Sequence, residues 1–260
     1  MLDDLATVDW AALTHARGPA DDVPELLRAL ADGDEDAHRR LHETFAADGD
    51  QDAAAVSAVP FLIRILDAPA AVPTQVMWLL TAIARGGRSA SREAVAAGLP
   101  VYLRLLAAHP DEGVRASAAH LTGGLGPGVA GGASAALRQA SVGDRAELVR
   151  VAAVRGLADR GETSEDRLAD PSPLVRLVAA TVVAEADPHA PLSGPVVQIL
   201  ERDSVASIAL IERLPDAAGN PLGWVLNRLQ SRPELQQRLV ASWLRHPEAG
   251  ASAALIQGPH

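Results

Sequence analysis

One local phrase recurs along this chain and limits what it can fold into. An acidic or proline-containing turn leads into Val-Arg or its equivalent, then an alanine pair and further aliphatic residues. The clearest copies run from Pro110 to Leu121 and from Pro171 to Val182, and Leu148 to Ala153 is a third with its alanine pair one place early. Val76-Met77 and Ala37-His38 take the same place in their own segments. The anchors at 37, 76, 114, 149 and 175 are separated by 39, 38, 35 and 26 residues. A unit of that length cannot bury its own apolar face, so each copy has to stack on the next. The long steps hold two helices each. The last step leaves room for only a short first helix around Glu165 to Leu168.

The apolar periods agree with helices. Positions 59, 62, 63 and 66, and again 76, 79, 80 and 83, fall on one helical face. Val23 to Leu30, Val59 to Leu66 and Leu99 to Leu106 each open with an apolar residue followed by Pro24, Pro60 or Pro100. Proline suits a first turn, where its missing donor would have no partner. Aromatic residues make up only 3% of the chain, and alanine and leucine dominate the apolar set. That composition favours close-packed helices over a sheet. The alanine pairs at 118–119, 152–153 and 179–180 let neighbouring helices approach closely.

These phrases resemble HEAT and HEAT-like (phycobilisome-lyase-type) repeats, in which a turn precedes a Val-Arg-x-x-Ala-Ala-x-x-Leu second helix. The resemblance covers residues 20 to 187 well and the remainder loosely. It implies an all-α fold, an α-solenoid or superhelix of stacked antiparallel helix pairs, in one domain over residues 1–260. Residues 1–20 would form an N-terminal cap, 21–187 the clearer repeats, and 188–260 degenerate repeats and a C-terminal cap. Trp10, Trp224 and Trp243 are expected to seal the caps. From Thr122 to Ala136 the chain holds six glycines, costing about 1 kcal/mol each inside a helix, so a loop, break or hinge is expected there.

Composition narrows the function classes. No run approaches the roughly 20 apolar residues of a membrane span, and with no cysteine there is neither a disulfide framework nor cysteine catalysis. The first nine residues are acidic where a signal peptide would be positive, so a cytoplasmic protein is expected. Residues 1 to 52 carry 14 acidic residues and four arginines, whereas the rest of the chain carries 19 of each sign. The acidic end is a solvated face or a docking surface for a basic partner. The same balance argues against a nucleic-acid partner, which needs a positive stripe to displace counterions.

Candidate chemistry is sparse. Asp32 to Glu43 places carboxylates at the first, third, fifth and twelfth positions of a calcium-type loop, but Ala37 stands where that loop needs glycine. His38 and His42 share a helix face, one turn from Asp34, with metal-ligand spacing. An acidic helix start favoured by the helix dipole accounts for the same residues, and no metal is expected. Asp48 to Asp52 reads as a cap for the following helix. No nucleophile elbow, phosphate loop or dinucleotide fingerprint occurs, so no catalytic residue and no cofactor is assigned.

The resemblance implies a noncatalytic scaffold or accessory protein that binds a protein or peptide on the concave face of its second helices. Trp78, Arg85, Arg115, His120, Arg150, Arg155 and Arg176 are the candidates for that face. Trp78 leads them, because tryptophan is costly to expose and anchors interfaces. Arg115 and Arg150 also have intrahelical acids in reach, Asp111 and Glu147. The alternative class is an enzyme on a HEAT-like scaffold, of lyase or alkylpurine DNA glycosylase type, acting on a bound macromolecule or natural product.

Overall fold

In the computed structural model the described residues are 2–15, 17–45, 52–66, 73–86, 89–129, 132–186, 194–202 and 232–245, with isolated positions 207, 211, 222, 225, 226 and 229. They form an all-α structure of twelve α-helices, with one two-residue strand pair. Contacts divide the chain into an N-terminal unit, Met1–Gly161, and a C-terminal unit, Glu162–His260.

The N-terminal unit holds α1 (Val23–Ala31), α2 (Glu35–Phe45), α3 (Asp52–Ile65), α4 (Pro73–Gly86), α5 (Ser89–Ala96), α6 (Leu99–Ala108), α7 (Glu112–Gly124), α8 (Ala133–Gly143) and α9 (Glu147–Asp159). Before them, short 3-10 turns and an antiparallel pair, β1 (Thr14–His15) with β2 (Gly18–Pro19), close the first helix. Trp10 is buried there; its ring lies 6.0 Å from Phe61 and its indole N–H donates to the Leu5 carbonyl at 2.8 Å. The helices that carry the recurrent phrase touch in succession, α2 with α4, α4 with α7, and α7 with α9. Of the helices that precede them, α1 touches α3 and α6 touches α8, whereas α3 packs against the additional helix α5. One contiguous core runs through the unit, from Leu2 to Leu157.

Three local details depart from the sequence reading. The α3 helix begins at Asp52, so Pro60 lies inside it instead of opening it; Pro60 is exposed, where its missing N–H can be replaced by solvent at the bond it breaks. An extra helix, α5, separates α4 from α6. The glycine-rich stretch starts inside a helix, since α7 continues through Gly123 and Gly124. Gly123 is a packing residue: a Cβ on it would lie 2.2 Å from the Gly156 Cα of α9, so two glycines let α7 and α9 touch backbone to backbone. Beyond Gly124 the chain loops, and buried Arg160 clamps that loop by donating to the carbonyls of Gly126 at 2.6 Å and Val129 at 2.7 Å.

The C-terminal unit contains a 3-10 turn at Glu165–Ala169, then α10 (Pro173–Ala186), α11 (Gly194–Arg202) and α12 (Pro233–Arg245). The short turn stands where the 26-residue step left room for a short first helix. It packs on α10, α10 packs on α11, and α11 touches α12. In α12, Leu235 and Leu239 are buried, whereas Val240, Trp243 and Leu244 are exposed, so Trp243 does not bury itself as a cap residue would. Trp224 and most of the expected helices at 208–214 and 224–229 lie outside the described residues.

Candidate functional site

The arginine of the recurrent phrase has a fixed structural job. Arg115 donates to the carbonyls of His109 at 2.8 Å and Pro110 at 3.0 Å, six and five residues back. Arg150 donates to Asp144 at 2.9 Å and Arg145 at 3.4 Å, and Arg176 to Asp170 at 2.5 Å and Pro171 at 3.1 Å, at the same offsets. In each copy the guanidinium ties down the turn that leads into its own helix. Arg115 goes further. Its Nε and Nη2 make a bidentate pair with Asp144 at 2.8 and 2.9 Å, both side chains are nearly buried, and Asp144 also accepts from the Ala146 N–H at 2.8 Å. The hydrogen bonds from Arg115 hold the Asp144 carboxyl below the usual carboxylate range.

This corrects the sequence reading of Arg115. Its ionic partner is Asp144, 29 residues on, whereas Asp111 caps α7 by accepting from the Val114 N–H at 3.0 Å. With its donors committed and only 6% of the residue exposed, Arg115 is not part of an open binding face.

A second constellation sits on the outward stripe of α4, α7 and α9. Each stripe follows the helical period: Gln75, Trp78, Ala82 and Arg85 on α4; Gly113, Ser117, His120 and Gly124 on α7; Leu148, Ala152, Arg155 and Asp159 on α9. Arg85 reaches across α7 to Asp159, with Nη2 to Oδ2 at 3.5 Å. It passes beside Gly124, where a Cβ would stand in ordinary contact, 3.7 Å from the Arg85 Nε. Arg155 faces the same carboxylate from its own helix, Nε to Oδ1 at 3.6 Å. His120 lies among these charges. Burial first, then the Arg85 and Arg155 cations, holds its imidazole below the ordinary range, with Asp159 opposing.

Trp78 is 58% exposed, on the same face as Arg85 and two turns before it. Its ring lies 6.4 Å from His42 of α2. The structure therefore groups three of the seven candidates, Arg85, His120 and Arg155, about Asp159, with Trp78 on the same face of α4 as Arg85. It assigns Arg115 to the turn before α7 and its pairing with Asp144, Arg150 to the turn before α9, and Arg176 to the C-terminal unit. Asp159, around which the group gathers, is absent from the sequence reading, which paired only Arg115 and Arg150 with nearby acids. Its signal was its place four residues after Arg155 at a helix end.

The acidic loop of the first repeat is tied up locally. Asp34 caps α2 by accepting from the Asp36 and Ala37 N–H groups at 2.8 and 3.3 Å. Asp36 and Glu43 pair with Arg39, and Glu43 also holds Arg17 at 2.7 Å. The His38 and His42 rings stand 6.4 Å apart, and among the described residues no group of three or more such side chains could hold a metal. The Asp48 to Asp52 turn lies outside the described residues, apart from Asp52, which begins α3. Among the described residues no helix is long and apolar enough to cross a membrane.

Comparison with known proteins finds no matching family model, no matching curated protein and no matching solved structure.

Proposed function

We propose that this chain is a noncatalytic binding protein, a HEAT-like α-solenoid that takes an extended peptide or partner protein on the outward stripes of its second helices. Support for the repeat reading comes from the successive contacts of α2, α4, α7 and α9 and from three arginines that bond turn carbonyls at identical offsets. Stacked pairs of this kind expose a long surface suited to extended ligands. The observation that carries the binding role is Trp78. A tryptophan more than half exposed, two turns from the exposed Arg85 and flanked by His42, has the chemistry of an interface anchor.

Selection from a displayed random-peptide library on the intact chain tests this reading. Binders are expected to emerge that Trp78→Ala weakens about tenfold or more, with helicity unchanged. Failure to enrich any peptide, or binders indifferent to Trp78→Ala, would count against the surface.

A further inference from the structure

The seam between α2 and α4 holds a pair of histidines, and one of them has a ring nitrogen that meets no partner. His38 and His42 lie one turn apart on α2 with their ring centres 6.4 Å apart, and the His42 ring stands a further 6.4 Å from the Trp78 ring of α4. Both imidazoles are half-buried. The His38 Nε2 is covered and bonds to nothing, as does the Gln75 Oε1 in the first turn of α4.

A neutral imidazole carries one N–H, whereas an imidazolium carries an N–H on both nitrogens and needs two acceptors. A charged His38 would therefore bury an N–H at Nε2 with no acceptor, leaving a charged donor unsatisfied. His42 adds to the cost, since like charges one helical turn apart repel. The surroundings offer little relief. Glu35, at the start of α2, is the carboxylate that acts on His38, and it is exposed. The α4 helix carries a single charged residue, Arg85, about three turns beyond Gln75. On α1, Glu25 and Arg28 are both exposed. The remaining α2 charges nearby, Asp36, Arg39 and Glu43, pair among themselves and with Arg17. Burial first, then His42, holds the His38 imidazole below the ordinary range, with the Gln75 backbone and Glu35 opposing.

We propose that this seam is an acid-sensitive latch, in which proton uptake by the His38–His42 pair releases α2 from α4. Opening solvates both rings, so the opened chain binds protons that the closed one excludes. The linkage then favours opening as pH falls through the ordinary histidine range near 6.5, and above that range the pair is neutral and the seam is closed. The latch borders Trp78, so acid also strips the α4 face of its His42 neighbour. It does not depend on that face binding a peptide.

Amide hydrogen exchange in the intact chain, corrected for the pH dependence of the intrinsic rate, tests the latch by comparing α2 near pH 7 and near pH 5.5. An ordinary histidine is roughly one-quarter charged at the first pH and about nine-tenths at the second, so excluding one such proton should lower α2 protection by up to about eightfold. His38→Gln should remove most of that fall, and His42→Gln should reduce it by relieving the repulsion on His38. His15 and His120 are present in every variant, so the difference belongs to the pair. Should His38→Gln fail to fold by circular dichroism, His42→Gln and the titration of His38 by NMR carry the test. Three results would each overturn the proposal. One is an identical acid response in parent and variants. Another is an α2 that grows more protected in acid because Gln75 turns to accept from a charged His38. The third is a His38 that titrates at or above the ordinary range.

Discussion

Two arginine–aspartate sites in the N-terminal unit use the same chemistry to opposite ends. Arg115 and Asp144 form a closed bidentate pair, 7% and 12% exposed, with the remaining donors of the arginine bound to two backbone carbonyls. Arg85 meets Asp159 at 3.5 Å in a looser contact whose arginine is 52% exposed, with Arg155 on the other oxygen of the same carboxylate. Burial makes the difference. A desolvated pair must satisfy every donor and acceptor or destabilise the fold, and that requirement binds Arg115 to structure. A solvated pair contributes little to stability and can exchange its partner. The arginine of the recurrent phrase keeps one structural role in three copies, whereas arginines later on the same helices do not share it.

Removing the closed pair should have the largest effect. Arg115→Ala strands a nearly buried carboxylate and unbonds the carbonyls of His109 and Pro110, so urea unfolding should show a loss of about 3 kcal/mol. The pair should also sensitise the protein to acid. Its carboxyl is depressed in the folded state, so the stabilisation is present above the unfolded carboxylate range near pH 4 and is lost as pH falls through the folded value. Arg115→Ala should flatten that acid limb.

The contact that brings the looser group together comes next. Gly123→Ala would drive a Cβ into the Gly156 backbone, and the overpacking should cost about 1 to 3 kcal/mol. Because α7 and α9 would be pushed apart, the same substitution should loosen the grouping of His120 with Arg155.

The smallest effects belong to the looser group itself. Arg85→Gln should change stability by no more than about 0.5 kcal/mol. It should nonetheless raise the His120 titration, read by NMR, because a repelling cation is gone, whereas Asp159→Asn should lower it. In the parent protein a depressed imidazole favours the neutral form, so its contribution to stability falls as pH drops through the ordinary histidine range near 6.5. A His120 that ignores both substitutions would mean that the group does not form in solution.

Much of the fold was legible because the recurrent phrase and the apolar periods are local signals. The Val-Arg anchors lie on α4, α7, α9 and α10, and the short step before Val175 holds only a 3-10 turn. What escaped was either weakly patterned or distant in sequence. The α5 helix has only eight residues, of which Ser91 and Val95 are buried, too short a stripe to recognise. The Gly123 and Gly156 contact joins two helices and looks in sequence like a helix breaker. Within the site, Trp78 and Arg85 were readable from one helix, but Asp159 meets Arg85 across 74 residues. The role of Arg115 was hidden because an acid four residues away offered a plausible partner, while the true one belongs to the next repeat. The offset of the bonded turn carbonyls was available in all three copies.

The division of arginines into structural and available can be measured without changing a residue. Solvent exchange of the side-chain Nε hydrogens, followed by NMR in the parent protein, compares Arg115, whose Nε–H is bonded to Asp144 at 2.8 Å, with Arg85, whose guanidinium is half exposed. The Arg115 hydrogen should exchange slowly, with the protection of the surrounding helices, and the Arg85 hydrogen should exchange near the rate of a free side chain. Equal protection at the two sites, or rapid exchange at Arg115, would contradict the account.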